Sequence, residues 1–296
     1  MRVTDSMLVT NFLNDYNNNL QRMNKNQNML ATGKRLSKPS DDPVAVADSL
    51  RIRTDMARND AYTKNVDDAK SWLELTDTAL DQLGQLLQRT RELGVEGSNG
   101  TLTPSDMQKI SNEVAQLKEQ MVQVGNTQYN GRYIFSGFKT TTKPFDETVN
   151  TYSGDSGEIK FEVGAGGNKM AVNVTGYRVF DVSGGSSNLL NIMDKLKDAL
   201  TAGDHQAVSS ILSDIDKQME NVLAIRSEAG AKSNRIDLIK NRLQSDNYNF
   251  TALLSRNEDA DMAQVITNLQ MDENVYRASL ASGAKIIQPS LIDFLR

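Results

Sequence analysis

Two apolar stripes at helical spacing, one near each end, constrain this 296-residue chain more than any other feature. Val9, Leu13, Tyr16, Leu20, Met23, Gln27 and Leu30 alternate steps of four and three, the period of a coiled-coil seam. Met262, Ile266, Leu269, Glu273, Tyr276, Leu280, Gly283 and Ile287 repeat the pattern at the other end. A helix with one apolar face is stable only when something covers that face. The two ends must therefore pair, or be covered by other copies of the chain, or stay unfolded. This requirement points to assembly rather than to chemistry. The candidate assembly interface is Val9, Leu13, Tyr16, Leu20, Met23 and Leu30 with Met262, Ile266, Leu269, Tyr276, Leu280 and Ile287.

The ends also differ in charge. Residues 1–40 carry Arg2, Arg22, Lys25, Lys34, Arg35 and Lys38 against Asp5 and Asp15, whereas residues 256–296 carry four basic and six acidic groups. Opposite signs favour pairing of the ends, although an exposed ion pair contributes only about 0–1 kcal/mol. Over the whole chain the net charge is −5 with both signs interspersed, which argues against an extended nucleic-acid surface. An apolar share of 38% is lean for a compact globule of this length and suits helices that face water or a partner. The absence of cysteine removes disulfide and thiol chemistry. No run of eighteen apolar residues occurs, so no membrane-spanning helix is expected. The opening MRVTDSMLVTNFLNDYNNNL lacks the unbroken apolar core of a secretory signal, so export would need a route without a cleaved one.

Punctuation divides the chain. The first helix is expected from about Thr4 to Thr32, stopped by Gly33 in the left-handed position. Asp42-Pro43 starts the second, an Asp cap followed by a proline whose missing N–H costs nothing. Its seam reads Tyr62, Val66, Ala69, Leu73, Thr76, Leu80, Leu83 and Leu87, and Gly94, Gly97 and Gly100 are expected to end it. Thr103-Pro104 starts a third helix with a seam of Met107, Ile110, Val114, Leu117, Met121 and Val124. Between about Lys139 and Gly185, glycine, serine, threonine and valine replace leucine and methionine. Alternation in 159–163 and 171–174 predicts short strands there. From about Asn188 one long helix is expected, with Val208, Leu212, Ile215, Met219, Val222, Ile236, Ile239, Leu243, Phe250 and Leu253 on one stripe. A connection near 257–259 then leads into the last helix.

The expected fold is mainly α: an elongated rod of long antiparallel helices with the N- and C-terminal helices paired, plus a small β-rich insert. Three regions are expected: a terminal coiled coil of 1–42 with 256–296, a helical rod of 43–138 with 186–255, and an insert of 139–185. Trp72 is read as widening the seam of the second helix, and Tyr133, Phe135 and Phe138 as closing the end of the bundle.

Enzyme-like patterns are weak. Gly154-Asp155-Ser156-Gly157 spells a protease nucleophile tetrapeptide, but a serine nucleophile needs a base and an orienting carboxylate. The sole histidine, His205, follows Asp204 at an expected helix start and reads as a surface residue of the first turn. Gly164-Ala165-Gly166-Gly167 is not followed by a helix bearing a phosphate-binding lysine. One histidine, no cysteine and acidic pairs without ligand spacing hold no metal. No catalytic residue, cofactor or metal is expected.

Four blocks carry a resemblance: RVTDSM (2–7), LATGKRLSKPSDDPVAVADSL (30–50), NGRYIFSG (130–137) and SRNEDADMAQVITNLQMDENVYRASLASGAKIIQPSLIDFL (255–295). In this order they resemble the bacterial flagellin superfamily over roughly residues 1–140 and 190–296; the insert matches nothing. Filament subunits more often read SSGLRINSAADDAAG where this chain has ATGKRLSKPSDDPVA. RYIFSG and the ending SLIDFLR are more similar to the proteins of the hook–filament junction. The resemblance implies a secreted, extracellular subunit of the bacterial flagellum, exported unfolded through the flagellar secretion channel. Its implied partners are copies of itself in a ring or helical layer, a hook-associated protein on the hook side, flagellin on the filament side, and an export chaperone. Neither nucleic acid nor membrane is among them. A filament subunit, or a coiled-coil adaptor using its helices as a spacer, remains the alternative.

Overall fold

The computed structural model describes residues 5–146, 150–183 and 185–287. Seven helices account for most of them: α1 (Asp5–Thr32), α2 (Pro43–Gly97), α3 (Pro104–Gly125), α4 (Gly176–Val179), α5 (Asn188–Ala202), α6 (His205–Glu258) and α7 (Met262–Ile287). The strands form three two-stranded antiparallel sheets: β1 (Gln128–Tyr129) with β2 (Arg132–Tyr133), β3 (Lys160–Gly164) with β4 (Asn168–Ala171), and β5 (Val182–Ser183) with β6 (Ser186–Ser187). The protein is mainly α with its terminal helices paired and a small β-rich insert. It divides into two compact units, residues 1–58 with 247–296 and residues 59–246.

Local chemistry sets the helix ends. Gly33 has φ 69° and its N–H bonds to the Met29 carbonyl at 2.8 Å, closing α1 as a left-handed cap does. The Asp42 carboxylate accepts from the Ala45 N–H at 3.1 Å, one turn into α2. Thr103 caps α3 by accepting from the Asp106 N–H, with Pro104 in the first turn. A break that the sequence reading missed separates α5 from α6. Gly203 has φ 72° and Asp204 accepts from the N–H groups of Gln206 and Ala207, so the expected single helix after Asn188 is two.

In the larger unit, the α2 seam is covered from Val66 to Leu87, and the α3 seam from Met107 to Met121. Both join one core with Leu189, Leu190, Met193 and Leu196 of α5 and Val208, Ile215, Val222, Ile225 and Ile236 of α6. Polar bridges between α2 and α6 succeed one another in opposite chain directions. Lys240 meets Asp67 and Lys70 meets Asp237, each at 2.7 Å; Arg226 spans Asp77 and Asp81; Arg91 meets Asp216 at 2.6 Å. Being partly exposed they add little stability each, but they agree on one antiparallel register.

Gly94 has a different use from the one expected, and Gly97 has a second use besides the expected one. α2 runs through Gly94 and ends at Gly97. A Cβ at Gly94 would meet Leu212 Cδ2 at 2.7 Å, and one at Gly97 would meet Leu200 Cδ2 at 2.5 Å. Gly97 ends the helix as expected, and both glycines also leave room for side chains of α5 and α6 to pack close.

The insert shares the same core: Phe145, Val163, Val172, Val174, Val179 and Phe180 are buried with the helices. Asn126 pins it by reciprocal bonds, Nδ2 to the Phe145 carbonyl and the Phe145 N–H to Oδ1, both 3.0 Å. Strand pairing falls on 168–171 rather than 171–174, because the Asn173 side chain takes over the bonding. It accepts from the Ile159 N–H at 2.7 Å and donates to the Gly157 carbonyl at 2.8 Å. Gly164-Ala165-Gly166-Gly167 is the turn of this hairpin. Trp72 is buried with its ring edge-on to Tyr129. Phe135 is buried against Phe180, but Phe138 stands out into solvent and does not close the bundle.

Candidate assembly surface on the paired terminal helices

Within the smaller unit α1 packs along α7. The contact line is not the apolar heptad stripe taken as a whole. Phe12, Tyr16, Asn19, Met23, Asn26 and Met29 of α1 turn inward, against Val265, Leu269, Asp272, Tyr276 and Gly283 of α7. The Phe12 ring lies where a Gly283 side chain would be. The Tyr16 and Tyr276 rings are 5.6 Å apart between centroids and their hydroxyls 3.4 Å apart. That hydrogen bond holds the Tyr16 phenol above its ordinary pKa.

Of the candidate interface residues, Val9, Tyr16, Leu20, Met23, Leu269 and Tyr276 are half-buried in or beside this contact. Leu13 and Leu280, each 47% exposed, face water with Leu30, Met262 and Ile266. Ile287 closes α7, but its side chain lies outside the described residues. The structure therefore splits the predicted set, covering one part by pairing and leaving another open. Met7, Leu8, Met271 and Val275 add to the open part.

Sequence reasoning missed the apolar Phe12, Met29 and Val265, which lie off the 4-3 stripe, and two buried polar residues. Asp272 and Asn19 are buried in the contact, where a search for apolar letters passes over them. A second polar group ties the connectors together. The loop after α1 and the turn after α6 pair as two short extended pieces, with Lys34 bridged to Asp259. The Arg35 N–H bonds to the Glu258 carbonyl at 2.6 Å and the Ala260 N–H to the Gly33 carbonyl at 2.9 Å. Buried among them, the Glu258 carboxylate takes both Nε (2.9 Å) and Nη2 (2.6 Å) of Arg53, and Lys34 Nζ at 2.9 Å. Hydrogen bonding to Arg53, reinforced by Lys34, lowers its pKa to about 2. Asn257 adds bonds to the Ala45 carbonyl and the Ser49 hydroxyl. Opposite charges at the two chain ends thus meet at specific places, Arg22 with Asp272 and Lys34 with Glu258.

The residues of the enzyme-like patterns have local structural partners. Ser156 sits in a turn held by Asp155, whose Oδ1 accepts from the Phe138 and Gly157 N–H groups at 2.7 and 2.8 Å. His205 is half-buried, its Nδ1 2.8 Å from the Gly97 carbonyl at the end of α2. Among the described residues no group of three His, Cys, Asp or Glu side chains is placed to hold a metal ion. No helix among them is long and apolar enough to cross a membrane.

A mainly helical chain whose two ends pair, with a small β insert between the inner helices, is the architecture of flagellin-type proteins. The family description "bacterial flagellin N-terminal helical region" matches residues 3–140, and "bacterial flagellin C-terminal helical region" matches residues 212–295. The chain belongs to the bacterial flagellin family. It is 28% identical to flagellar hook-associated protein 3 of Escherichia coli, over 94% of this chain and 95% of that one. Identity to the flagellin of Bacillus subtilis is 27%, over 97% of each. A solved structure from Vibrio parahaemolyticus, described as a flagellar hook-associated protein, is similar with a TM-score of 0.68 at 26% identity. That match covers 74% of this chain and all of that one.

Proposed function

We propose that this chain is a structural subunit of the bacterial flagellum that joins the hook, through another hook-associated protein, to the flagellin filament. The observation that carries the proposal is the set of large apolar side chains that α1 and α7 leave uncovered after pairing with each other. Each fully buried leucine is worth roughly 1.5–3 kcal/mol, so these side chains favour burial between copies. The assembly residues are then Leu13, Leu30, Met262, Ile266 and Leu280 directly, with Val9, Tyr16, Leu20, Met23, Leu269 and Tyr276 holding the pair together. Ile287 is assigned from its place in the sequence stripe. The terminal region of 1–42 with 256–296 supplies these contacts, the helical region of 43–138 with 186–255 supports it, and the insert of 139–185 decorates it.

The partners are copies of the chain in a ring or helical layer, a hook-associated protein on one side and flagellin on the other. The setting is extracellular. An export chaperone would cover the apolar ends before passage through the flagellar channel. Support for the junction comes from RYIFSG at 132–137 and from ATGKRLSKPSDDPVA at 31–45 in place of the filament wording.

Electron microscopy of a strain lacking the chain tests the proposal. Bare hooks with flagellin shed into the medium are expected, and hooks carrying normal filaments would reject it. The similarity to Bacillus subtilis flagellin across 97% of each chain favours a second reading, a filament subunit. Under that reading the purified chain polymerises alone into long filaments.

A further inference from the structure

The seam between α1 and α7 is interrupted midway by a polar layer. Asn19 is 2% exposed and Asp272 8% exposed. The Asp272 carboxylate accepts from Asn26 Nδ2 at 2.8 Å and from Arg22 Nε at 3.4 Å, while its backbone carbonyl accepts from Asn19 Nδ2 at 3.3 Å. All three donors are side chains of α1. To one side of the layer lies the Tyr16–Tyr276 contact, and to the other the buried Val265.

A buried carboxylate is tolerable only where donors surround it, and removing them leaves an uncompensated charge. α1 supplies a guanidinium and two amides at this level. A second copy of α7 would supply another Asp272 instead, setting two carboxylates together in a seam with no α1 donor. Two copies of α1 would gather amides and arginines without an acceptor charge. Polar residues at single seam positions choose partners in this way in coiled coils, at some cost in stability.

We propose that Asp272 is the residue that assigns α7 to α1 and rejects pairing of α7 with another α7. The inference rests on the assembly reading, in which many copies of both helices meet, but testing it needs no flagellum.

The chain contains no cysteine, so an introduced disulfide reports pairing cleanly. Ser279, half-buried on the same face of α7, is replaced by cysteine in the full-length protein, which is then oxidised in dilute solution. Asp272→Leu is expected to raise the yield of inter-chain disulfide dimer about tenfold, the equivalent of 1.4 kcal/mol. Asp272→Glu should keep it near the parent level. Equal yields for the parent and the leucine variant would overturn the proposal.

A second measurement does not depend on how the leucine variant folds. Phe12→Cys with Gly283→Cys places two thiols where ring and glycine now touch and reports α1–α7 pairing within one chain. Arg22→Asp should lower that intra-chain yield, and adding Asp272→Arg should restore it. Failure of the charge exchange to restore it would overturn the assigned basis. Filaments that stay normal in the deletion strain would reject the junction role and leave this result standing.

Discussion

The two compact units differ in how they use an apolar stripe. In residues 59–246 the stripe of α2 is consumed: Leu80, Leu83 and Leu87 have no exposed surface, and α3, α5, α6 and the insert share their core. In the terminal unit α1 and α7 cover each other through a seam half made of polar and aromatic residues, while leucine, isoleucine and methionine remain outside. The α2 seam is satisfied within the chain, although Phe138, Leu223 and Leu238 stay exposed elsewhere in that unit. The paired terminal helices keep leucine, isoleucine and methionine open along their length, as a surface reserved for neighbours needs.

The sharpest way to break this contrast is to substitute leucines in each unit's stripe. Leu80→Asp should abolish the cooperative thermal melt seen by circular dichroism, since an unpaired charge in a sealed core costs several kcal/mol. A melt like the parent's would mean that the face of α2 has been misassigned. Leu13→Ala combined with Leu280→Ala should do the reverse. Both side chains are about half exposed, so the isolated protein should melt within about 0.5 kcal/mol of the parent. The same double variant should fail to build flagella when it replaces the parent in cells. Normal flagellar number and length would show that these exposed leucines are not an interface.

A smaller effect is expected at the tie between connectors. Glu258→Gln should cost about 1–2 kcal/mol of stability in the terminal unit, its partners being half exposed. The folded carboxylate titrates near 2, below its ordinary value near 4.5. Its contribution is therefore complete above the unfolded pKa and is lost as pH falls from there towards 2. Stability measured from pH 6 to pH 2.5 should fall more steeply in the parent than in the glutamine variant, and parallel curves would refute the assignment. Smallest is His205→Ala, which removes a single bond to the Gly97 carbonyl. About 1 kcal/mol is expected in a urea melt, and no change would mean that water replaces the imidazole.

Much of the helical plan was readable because its signals are local. Gly33, Asp42-Pro43 and Thr103-Pro104 act within one turn of the ends they set, and the 4-3 spacing of α2 and α3 marks residues that are buried from Val66 to Leu87 and from Met107 to Met121, with Tyr62 and Val124 partly so. The failures share a cause. Gly94 lay in the helix, not at its end, because its use is set by Leu212, more than a hundred residues away. The break at Gly203 was masked by an apolar stripe that continues on both sides of it. Leu253, counted on the covered stripe of α6, is exposed, and so is Phe138.

The same division holds at the candidate site. That the ends would be amphipathic helices in need of cover, and would carry opposite net charge, followed from residue order alone, because periodicity and net charge are properties of the chain. Which side of each helix would be covered did not follow. A helix carrying apolar residues around half of its circumference can present more than one face, and Phe12, Asn19 and Asp272 became the contact only once α7 lay against α1. Polar residues such as Asp272 and Glu258 are legible as buried only in three dimensions, since their burial depends on donors supplied by segments more than two hundred residues distant.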